Sequence, residues 1–384
     1  MPGLNKKSLP GIYIHIPFCK QACYYCNFHF STSLKNKREM IDAIVKEIGL
    51  SAAPSPKGEG AIETLYFGGG TPSILETDDL KLIIDATRKK FVFADEIELT
   101  LEANPDDLTF EKLKEWRSAG INRLSLGIQS FVEEELKWMN RAHNASQSLA
   151  CIDMISEAGF TNFSVDLIYG SPLLSDEDWI KNIDIVLKKK VPHISAYALT
   201  VEPKTALDKM IATNRSAPVD AEKQARQFLL LMDRLEVAGY EHYEISNFAK
   251  PGMRSRHNSS YWSGANYFGF GPAAHAFDGV SRKWNVANNA LYIQSIQKDM
   301  IPFEEEILTP TQQLNEYIMT SLRTMEGLDL DLVSEKFRVA SREKLVVGSG
   351  KWVVGGKLLI KGSKLILTRE GKLFADGIAA DLFF

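Results

Sequence analysis

Cysteine is scarce in this sequence, with only four among 384 residues. A disulfide framework for a chain of this length would need more cysteines, spread along the sequence. Lys and Arg number 45 against 49 Asp and Glu, so the chain lacks the basic excess of a nucleic-acid binder. No apolar run reaches the roughly 18 residues that a membrane-spanning helix needs. The residues after Met1 lead into no apolar segment, so we expect no secretory signal and a cytoplasmic protein.

Three of the four cysteines are crowded together, because Cys19, Cys23 and Cys26 fall within eight residues. Such crowding in a cytoplasmic chain indicates a metal centre rather than redox chemistry. A zinc site takes four closed ligands, and His29 could complete a set of three cysteines and one histidine. An iron–sulfur cubane held by three thiolates would keep one iron without a protein ligand. The spacing alone favours the cluster and leaves zinc open.

Short β-type runs alternate with amphipathic helical stretches along the first 200 residues. The expected strands are Ile12–Ile16, Thr64–Phe67, Ile97–Leu101, Arg123–Leu126, Phe163–Leu167 and His193–Leu199. The expected helices are Lys37–Leu50, Leu80–Phe91, Phe110–Ser118, Ser146–Glu157 and Asp176–Lys189. Strands that alternate with helices indicate βαβ units and a parallel sheet. Six such units, with one more strand near His242–Ile245, predict an α/β fold with a partial barrel.

Glycine and polar residues follow the predicted strands at their carboxyl ends. The cysteines follow the first strand, and Gly68-Gly69-Gly70-Thr71-Pro72 follows the second. Glu102, Gln129 and Asp166 come at the ends of the next three strands. Each feature alone is also explained structurally, by a tight turn or by a solvated residue at a strand end. Because parallel sheets build active sites at this edge, their shared position indicates a functional site.

The cysteine motif followed by the glycine run resembles the radical S-adenosylmethionine (SAM) superfamily. Five further motifs are similar to the oxygen-independent coproporphyrinogen III oxidase family: Tyr13–Cys19, Phe67–Pro72, Glu102–Pro105, Gly127–Phe131 and Asp166–Gly170. The resemblance implies a [4Fe–4S] cluster on the three cysteines, SAM bound at the open iron, and an electron donor for the cluster. It implies SAM contacts from nine residues: Tyr13, Gly69, Gly70, Thr71, Glu102, Gln129, Arg141, Asp166 and Ala198.

Two features separate the oxidases of this family from its heme-chaperone branch. The oxidase pattern places a fourth cysteine two residues after the third, where this chain has Phe28. The chaperone pattern has a His-Asn-x-x-Tyr-Trp motif, which this chain matches from His257 to Trp262. The resemblance implies heme binding by His257, Tyr261 and Trp262, with His275 as the reserve ligand to iron. Without the resemblance, a loop packed onto the barrel is the better explanation of these residues.

The pattern changes again from about Thr309. We expect helices over Thr311–Glu326, Asp331–Phe337 and Arg369–Phe383, with a hairpin formed by Leu358–Ile360 and Leu365–Leu367. This order predicts a winged-helix-like module, and its lack of a basic face argues against a nucleic-acid partner. The stretch Ser341–Gly356 indicates no role. The expected domains are a core barrel over 1–240, an extension with the heme motif over 241–305, and the C-terminal module over 306–384.

Together these features predict a heme chaperone that binds heme and a SAM-ligated [4Fe–4S] cluster and transfers heme to an acceptor protein. No coproporphyrinogen oxidase activity is expected, because position 28 is Phe. The alternative is an oxygen-independent coproporphyrinogen III oxidase, in which a 5′-deoxyadenosyl radical drives oxidative decarboxylation. A zinc protein on the same scaffold is the third and weaker alternative. The sequence does not identify the acceptor, which could itself be membrane-associated.

Overall fold

The structure is a computed structural model that describes residues 10–51 and 61–384. The amino-terminal segment, from which we expect no secretory signal, lies outside the described residues. Among the described residues, no helix has the length and apolar character needed to cross a membrane.

Six parallel strands, hydrogen-bonded in chain order, form the centre of the main sheet. They are β1 (Gly11–Ile16), β2 (Ile62–Gly69), β3 (Phe93–Ala103), β4 (Arg123–Gln129), β5 (Phe163–Tyr169) and β6 (His193–Ala198). The helices that connect and follow them are α1 (Lys37–Leu50), α2 (Thr77–Lys90), α3 (Phe110–Ser118), α4 (Glu133–Trp138), α5 (Ala145–Glu157), α6 (Asp176–Lys188), α7 (Ala206–Ala212) and α8 (Ala221–Val237). The α/β fold with a partial barrel of six units is thereby confirmed.

The sheet continues beyond both β1 and β6. Strands β7 (Glu241–Glu244) and β8 (Asn247–Ala249) extend it antiparallel from β6. After helix α9 (Arg256–Trp262), strand β9 (Tyr267–Phe270) pairs parallel with β1. The next elements are β10 (His275–Phe277), β11 (Ser281–Asn285), α10 (Asn289–Gln297) and β12 (Phe303–Ile307). In the part of the chain that the structure describes, β7 and β12 are the two edges and do not pair, so the barrel is open.

Alternation along the strands separates the apolar core from the lumen of the barrel. On β1, Ile12, Ile14 and Ile16 are fully buried in the core, whereas Tyr13 and His15 line a cavity on the other side. Burying each isoleucine side chain contributes roughly 1.5–3 kcal/mol, so the aliphatic rows hold the sheet against its helices. The opposite row is thereby left free for polar and aromatic side chains.

The C-terminal module has its own apolar core and packs on the barrel. Its elements are α11 (Pro310–Leu322), β13 (Leu328–Asp329), α12 (Leu330–Phe337), α13 (Val339–Val354), β14 (Leu358–Lys361), β15 (Lys364–Leu367) and α14 (Ala375–Asp381). The core includes Leu314, Ile318, Leu322, Leu345 and Leu365. Ile245 packs against both this core and the core of the barrel. The winged-helix-like module is confirmed.

One expected helix of this module is wrong in extent. The sequence predicts a helix over Arg369–Phe383, whereas α14 covers only its second half and a short 3₁₀ turn precedes it. Gly371 lies so close to the carbonyl group of Lys357 that a side chain at this position would collide with it. The chain therefore turns at Gly371 to pack on the wing before the helix begins. The unassigned stretch Ser341–Gly356 forms most of α13.

Candidate functional site

The three crowded cysteines lie on a loop that follows β1 and is held by backbone hydrogen bonds. Cys19 N donates to the Ser31 carbonyl over 3.0 Å, and Ser31 N donates to Pro17 over 2.9 Å. Farther along, Tyr24 N donates to the carbonyl of Met139 over 3.1 Å. All three thiols are free and partly buried. The loop is thus anchored at its base and near its middle.

Two neighbouring side chains donate hydrogen bonds to the sulfur atoms of this loop. The Thr71 hydroxyl lies 3.4 Å from Cys19 Sγ, and Arg141 Nη1 lies 3.2 Å from Cys23 Sγ. Burial raises the pKa of the Cys19 thiol from 9.0 to about 11. Without a metal this thiol keeps its proton at neutral pH, so metal binding must release it. The two donors are suited to stabilise the thiolates that result.

The glycine run fixes the loop against the end of β2. Gly70 N donates to the Ile16 carbonyl over 2.9 Å, and Thr71 N donates to the Phe18 carbonyl over 2.6 Å. A Cβ atom on Gly70 would lie 2.5 Å from Phe18 O, which is closer than real Cβ contacts allow. Gly69 has a φ of +109°, in the region that glycine adopts without strain. Gly70 is therefore required by the close approach of the cysteine loop, and Gly69 by its positive φ.

Two lumen-facing carboxylates lie on β3 and β5. Glu102 accepts hydrogen bonds from the Tyr66 hydroxyl at 2.8 Å and from Gly69 N at 3.2 Å. Burial, together with the charge of Asp166, raises the pKa of Glu102 from 4.5 to about 7. Burial likewise raises the pKa of Asp166 to about 6, although Ser125 donates to it. Such a pair is suited to accept hydrogen bonds from hydroxyl groups or an ammonium group.

Arg141 is the centre of a polar cluster between the cysteine loop and the end of β4. Its Nη2 donates to Asn104 Oδ1 at 2.7 Å and to the Gly127 carbonyl at 2.6 Å. A Cβ atom on Gly127 would lie 3.2 Å from Arg141, Asn104 and Gln129, so these three side chains converge there. Gln129 has a φ of 70°, a strained value of the kind that clusters at functional sites. Asn104 was not predicted to be a site residue from the sequence, although it belongs to the Glu102–Pro105 motif.

The two remaining residues with expected SAM contacts, Tyr13 and Ala198, lie on opposite faces of the sheet: Tyr13 lines the cavity, whereas Ala198 packs against the apolar core. The Tyr13 ring stacks on Tyr66 at a centroid distance of 6.1 Å. Ala198 is the last residue of β6 and pairs with Tyr169 at the end of β5. Eight of the nine expected residues lie on or directly after the six parallel strands, and Arg141 reaches them from the segment between α4 and α5. The structure therefore gathers these residues on or beside neighbouring strands, with the side chain of Ala198 as the exception because it faces the core.

The histidine of the aromatic motif is enclosed rather than open to ligands. His257 is 1% exposed, with its Nδ1 2.7 Å from Thr64 Oγ1 and its Nε2 2.8 Å from the Tyr261 hydroxyl. Its ring stacks on Tyr66 at 4.8 Å. Burial lowers the pKa of His257 to about 3, so the imidazole is neutral. Both ring nitrogens are occupied, and Tyr261 stands between this ring and the adjoining cavity.

That cavity, of about 890 Å³, is bounded by three distant parts of the chain. Its lining includes Asn27, Phe28, His29, Tyr261, Trp262, Tyr267, His275, Phe277, Arg282, Tyr317 and Lys336. Aromatic rings form much of the wall, Lys336 adds positive charge, and Arg282 pairs with Glu316 of the same wall at 2.8 Å. The sequence patterns did not predict five of these lining residues: Tyr267, Phe277, Arg282, Tyr317 and Lys336. Phe277 pairs with Arg282 across the β10–β11 ladder, so both side chains lie on one face of the hairpin. This shared position can be deduced from the sequence only when the register of the hairpin is known.

The structure adds little to the zinc alternative. His29 Nε2 lies 2.7 Å from Asn289 Oδ1, and the residue lines the cavity. Within residues 10–51 and 61–384, no three His, Cys, Asp or Glu side chains are arranged to hold a metal ion. The three thiols are therefore not converged on a single-ion site in this structure.

Comparison with known proteins gives the context of this geometry. Residues 13–186 match the radical SAM superfamily model, and residues 308–374 match the HemN C-terminal domain model. The solved structure of the coproporphyrinogen III oxidase HemN from Escherichia coli superposes with a TM-score of 0.85 at 20% identity, covering 98% of this chain and 90% of that one. At this identity the likeness shows a shared fold.

Sequence relatives are similar over nearly the whole chain. The heme chaperone HemW of Bacillus subtilis is 35% identical over 374 residues, which cover 96% of this chain and 98% of the relative. The heme chaperone HemW of Mycobacterium tuberculosis is 34% identical over 379 residues, which cover 97% of this chain and 94% of the relative. The chain therefore belongs to the HemW family, within the radical SAM superfamily.

Proposed function

We propose that this protein is a heme chaperone that binds heme beside a SAM-ligated [4Fe–4S] cluster and passes the heme to an acceptor protein. One observation carries the proposal: the aromatic cavity directly adjoins the cysteine loop. Residues 27–29, immediately after Cys26, form part of the wall that also contains Tyr261 and Trp262. A flat apolar molecule in the cavity would thus lie next to the residues proposed to hold the cluster.

The cysteine loop fits a three-thiolate cluster site. Three free thiols are available, and Thr71 and Arg141 donate to two of the sulfur atoms. The position of the oxidase family's fourth cysteine is Phe28, which is 67% exposed and cannot ligate iron. When bound, the cluster supplies an open iron site for the amino and carboxylate groups of SAM. A cytoplasmic location belongs to the proposal, because thiols kept for a cluster require reducing conditions.

The rim of the barrel fits SAM through groups whose hydrogen-bonding capacity is incompletely used. Arg141 Nε is buried without a partner among the described residues. Glu102 and Asp166 offer acceptors for the ammonium and ribose hydroxyl groups. Tyr13 and Gln129 border the same space, and the glycine run leaves its backbone uncovered by side chains. In this proposal the protein orients SAM and shields it from water.

The cavity fits heme in size, polarity and charge. Its volume of about 890 Å³ lies within the usual range of ligand pockets, roughly 300–1,000 Å³. Aromatic faces suit a macrocycle, and Trp262 Nε1 is buried without a partner in the described part of the chain. Lys336 offers positive charge to a propionate, and Arg282, which pairs with Glu316 in the wall, could offer a second cation by exchanging that partner. An acceptor protein and an electron donor for the cluster belong to the same proposal.

Anaerobic reconstitution followed by two assays on one sample tests the proposal. We expect the protein to take up iron and sulfide, to bind heme with saturation, and to leave coproporphyrinogen III unconverted with SAM and a reductant. A triple Cys→Ala variant at positions 19, 23 and 26 is the control, and it should lose the cluster. Turnover of coproporphyrinogen III would favour the oxidase instead, and uptake of zinc without iron would contradict both functions.

A further inference from the structure

The histidines around the cavity differ in whether their ring nitrogens are available to a ligand. His15 is 4% exposed, with its Nε2 2.9 Å from the His29 carbonyl and its Nδ1 3.3 Å from the Tyr13 hydroxyl. His29 uses its Nε2 toward Asn289. His257 has both nitrogens occupied and lies outside the cavity lining. An iron ligand must present a free lone pair to the cavity, and these three rings are wholly or partly committed elsewhere.

His275 differs from the other three in that neither of its ring nitrogens is engaged by a described residue. It is exposed, lines the cavity, and forms no ring hydrogen bond with any residue that the structure describes. Its ring stacks on Trp284 at a centroid distance of 6.1 Å, which supports it from behind. Trp284 is also its partner across the β10–β11 ladder, so the support comes from regular sheet pairing. The contact with Trp284 therefore orients the His275 imidazole, and both of its ring nitrogens are free of hydrogen bonds to the described residues.

The neighbours of His275 on the same hairpin face suit the rest of a heme. Phe277 lies two residues along β10, and Arg282 is its partner on β11. His275 and Arg282 are thus diagonal neighbours, about 7–8 Å apart at their Cα atoms. Arg282, which pairs with Glu316 at 2.8 Å, is near enough to His275 to offer its guanidinium to a carboxylate of the same ligand, and Phe277 opposite Arg282 adds an apolar surface.

We infer that His275 is the residue that ligates heme iron, and that His257 is a positioning residue that orients Tyr261 from behind the cavity wall. This inference rests on the proposed heme-binding function. His257 acts through its hydrogen bond to the Tyr261 hydroxyl, which it holds at 2.8 Å. The family motif then contributes a shaped wall, whereas the iron ligand comes from the following hairpin.

Ferric heme titration of the reconstituted full-length protein and a His275→Ala variant tests the assignment. We expect the Soret band of the variant to lose the ligand-dependent shift and its affinity for heme to fall at least about tenfold. Added imidazole should restore the wild-type spectrum, because it replaces the missing ring in the cavity. Circular dichroism confirms that the variant is folded, which is expected because residue 275 is exposed on a strand.

Two comparison variants separate the roles of the histidines. His257→Gln should weaken heme binding while the Soret position of bound heme stays that of the wild type, and imidazole should give no rescue. His29→Ala should leave the Soret position unchanged. An unaltered spectrum in His275→Ala, or an imidazole-rescuable loss in either other variant, would overturn the assignment. If wild-type protein binds no heme at all, the proposed function fails instead, so the two failures are distinguishable.

Discussion

At the scale of single residues, Arg141 connects the cysteine loop to the rim of the barrel. Its guanidinium donates to Asn104, to the Gly127 carbonyl and to Cys23. We expect Arg141→Gln to lower the free energy of unfolding by about 2–3 kcal/mol, because charge-assisted bonds to partly buried groups are lost. Denaturant unfolding measures this loss. SAM affinity, measured by calorimetry on the reconstituted protein, should fall about tenfold or more.

Arg226 provides the control for this prediction. It pairs with Asp176 on the surface, where solvent screens the interaction. The variant Arg226→Gln should change neither unfolding nor SAM binding measurably. Equal effects of the two substitutions would show that Arg141 has no special place in the site.

Glu102 makes stability depend on pH in a defined direction. Its pKa is about 7 in the folded protein against 4.5 for an unperturbed side chain. The native state therefore holds this proton more tightly than the unfolded chain, so the stabilisation is complete below pH 4.5 and is lost as the pH rises toward 7. Glu102→Gln should reduce that decline by about 1–3 kcal/mol, measured by urea unfolding between these pH values.

Glu111→Gln, at an exposed position on α3, is the matched control and should keep the wild-type slope. Asp166 is left in place in both variants, and burial raises its pKa to about 6. Some decline should therefore persist in Glu102→Gln. A slope identical to that of the wild type would contradict the assignment to Glu102.

The sequence could indicate the residues of the aromatic motif but not their orientation. His257 and Tyr261 are four apart on α9, so both lie on one helix face. Which of them borders a cavity depends on what packs against that face. Thr64 and Tyr66 of β2 enclose His257, and these contacts join residues nearly 200 positions apart. Local patterns carry no information on such a pairing.

At the scale of elements, the turn after β2 determines where the cysteine loop lies. Gly70→Ala would bring a Cβ atom against the backbone carbonyl of Phe18, which cannot move aside as a flexible side chain can. We expect the loop to be displaced and the iron content after reconstitution to fall several-fold. Iron and sulfide analysis of the purified variant measures this loss.

Gly49→Ala tests whether the effect is particular to that turn. Gly49 lies near the end of α1, and a Cβ atom there would meet nothing within 4 Å. The same substitution should leave iron content unchanged and add about 0.5–1 kcal/mol of stability, because alanine favours a helix. A full iron complement in Gly70→Ala would exclude the proposed role of the turn.

The alternation of apolar residues predicts the six central strands well, because each strand has one face in the core. It predicts the C-terminal elements less well. Helix α13 contains Gly348 and Gly350, whose poor helix propensity hides the pattern, and tertiary packing overrides it. The helix expected to begin at Arg369 was predicted too long for the opposite reason. There a close approach to Lys357 interrupts residues that would otherwise suit a helix.

At the scale of the whole molecule, Arg323 connects the C-terminal module to the barrel. It pairs with Glu244, which is 1% exposed, at 3.1 Å and with Asp376 at 2.9 Å. Its guanidinium also lies 5.3 Å from the ring of Trp262 in the cavity wall. We expect Arg323→Ala to lower the free energy of unfolding by about 3 kcal/mol, because the buried Glu244 loses its cationic partner. Heme titration should show weaker binding as well.

Arg369→Ala is the comparison for this prediction. Arg369 pairs with Asp233 across the same two modules, but both side chains are exposed. It should alter stability by less than about 1 kcal/mol and leave heme affinity unchanged. Should both variants weaken heme binding equally, the contact with Trp262 would have no particular importance.

The rim of the barrel could be predicted because all its expected residues except Arg141 lie on or directly after a recognisable strand, and the family resemblance indicated Arg141. The cavity could not, because its wall combines Tyr13, Phe28, His275 and Lys336, which are brought together by tertiary packing. The cysteine motif and the aromatic motif are each visible in the sequence. That they border a common space is a property of the folded chain.

The distribution of the cavity wall along the chain has a consequence for biosynthesis. One side comes from residues near position 28 and another from Lys336, which is translated more than 300 residues later. While the protein is still being made, a nascent chain has the thiols and the aromatic motif but not the last side of the enclosure. Completion of the cavity is thereby postponed until the ribosome has released the C-terminal module.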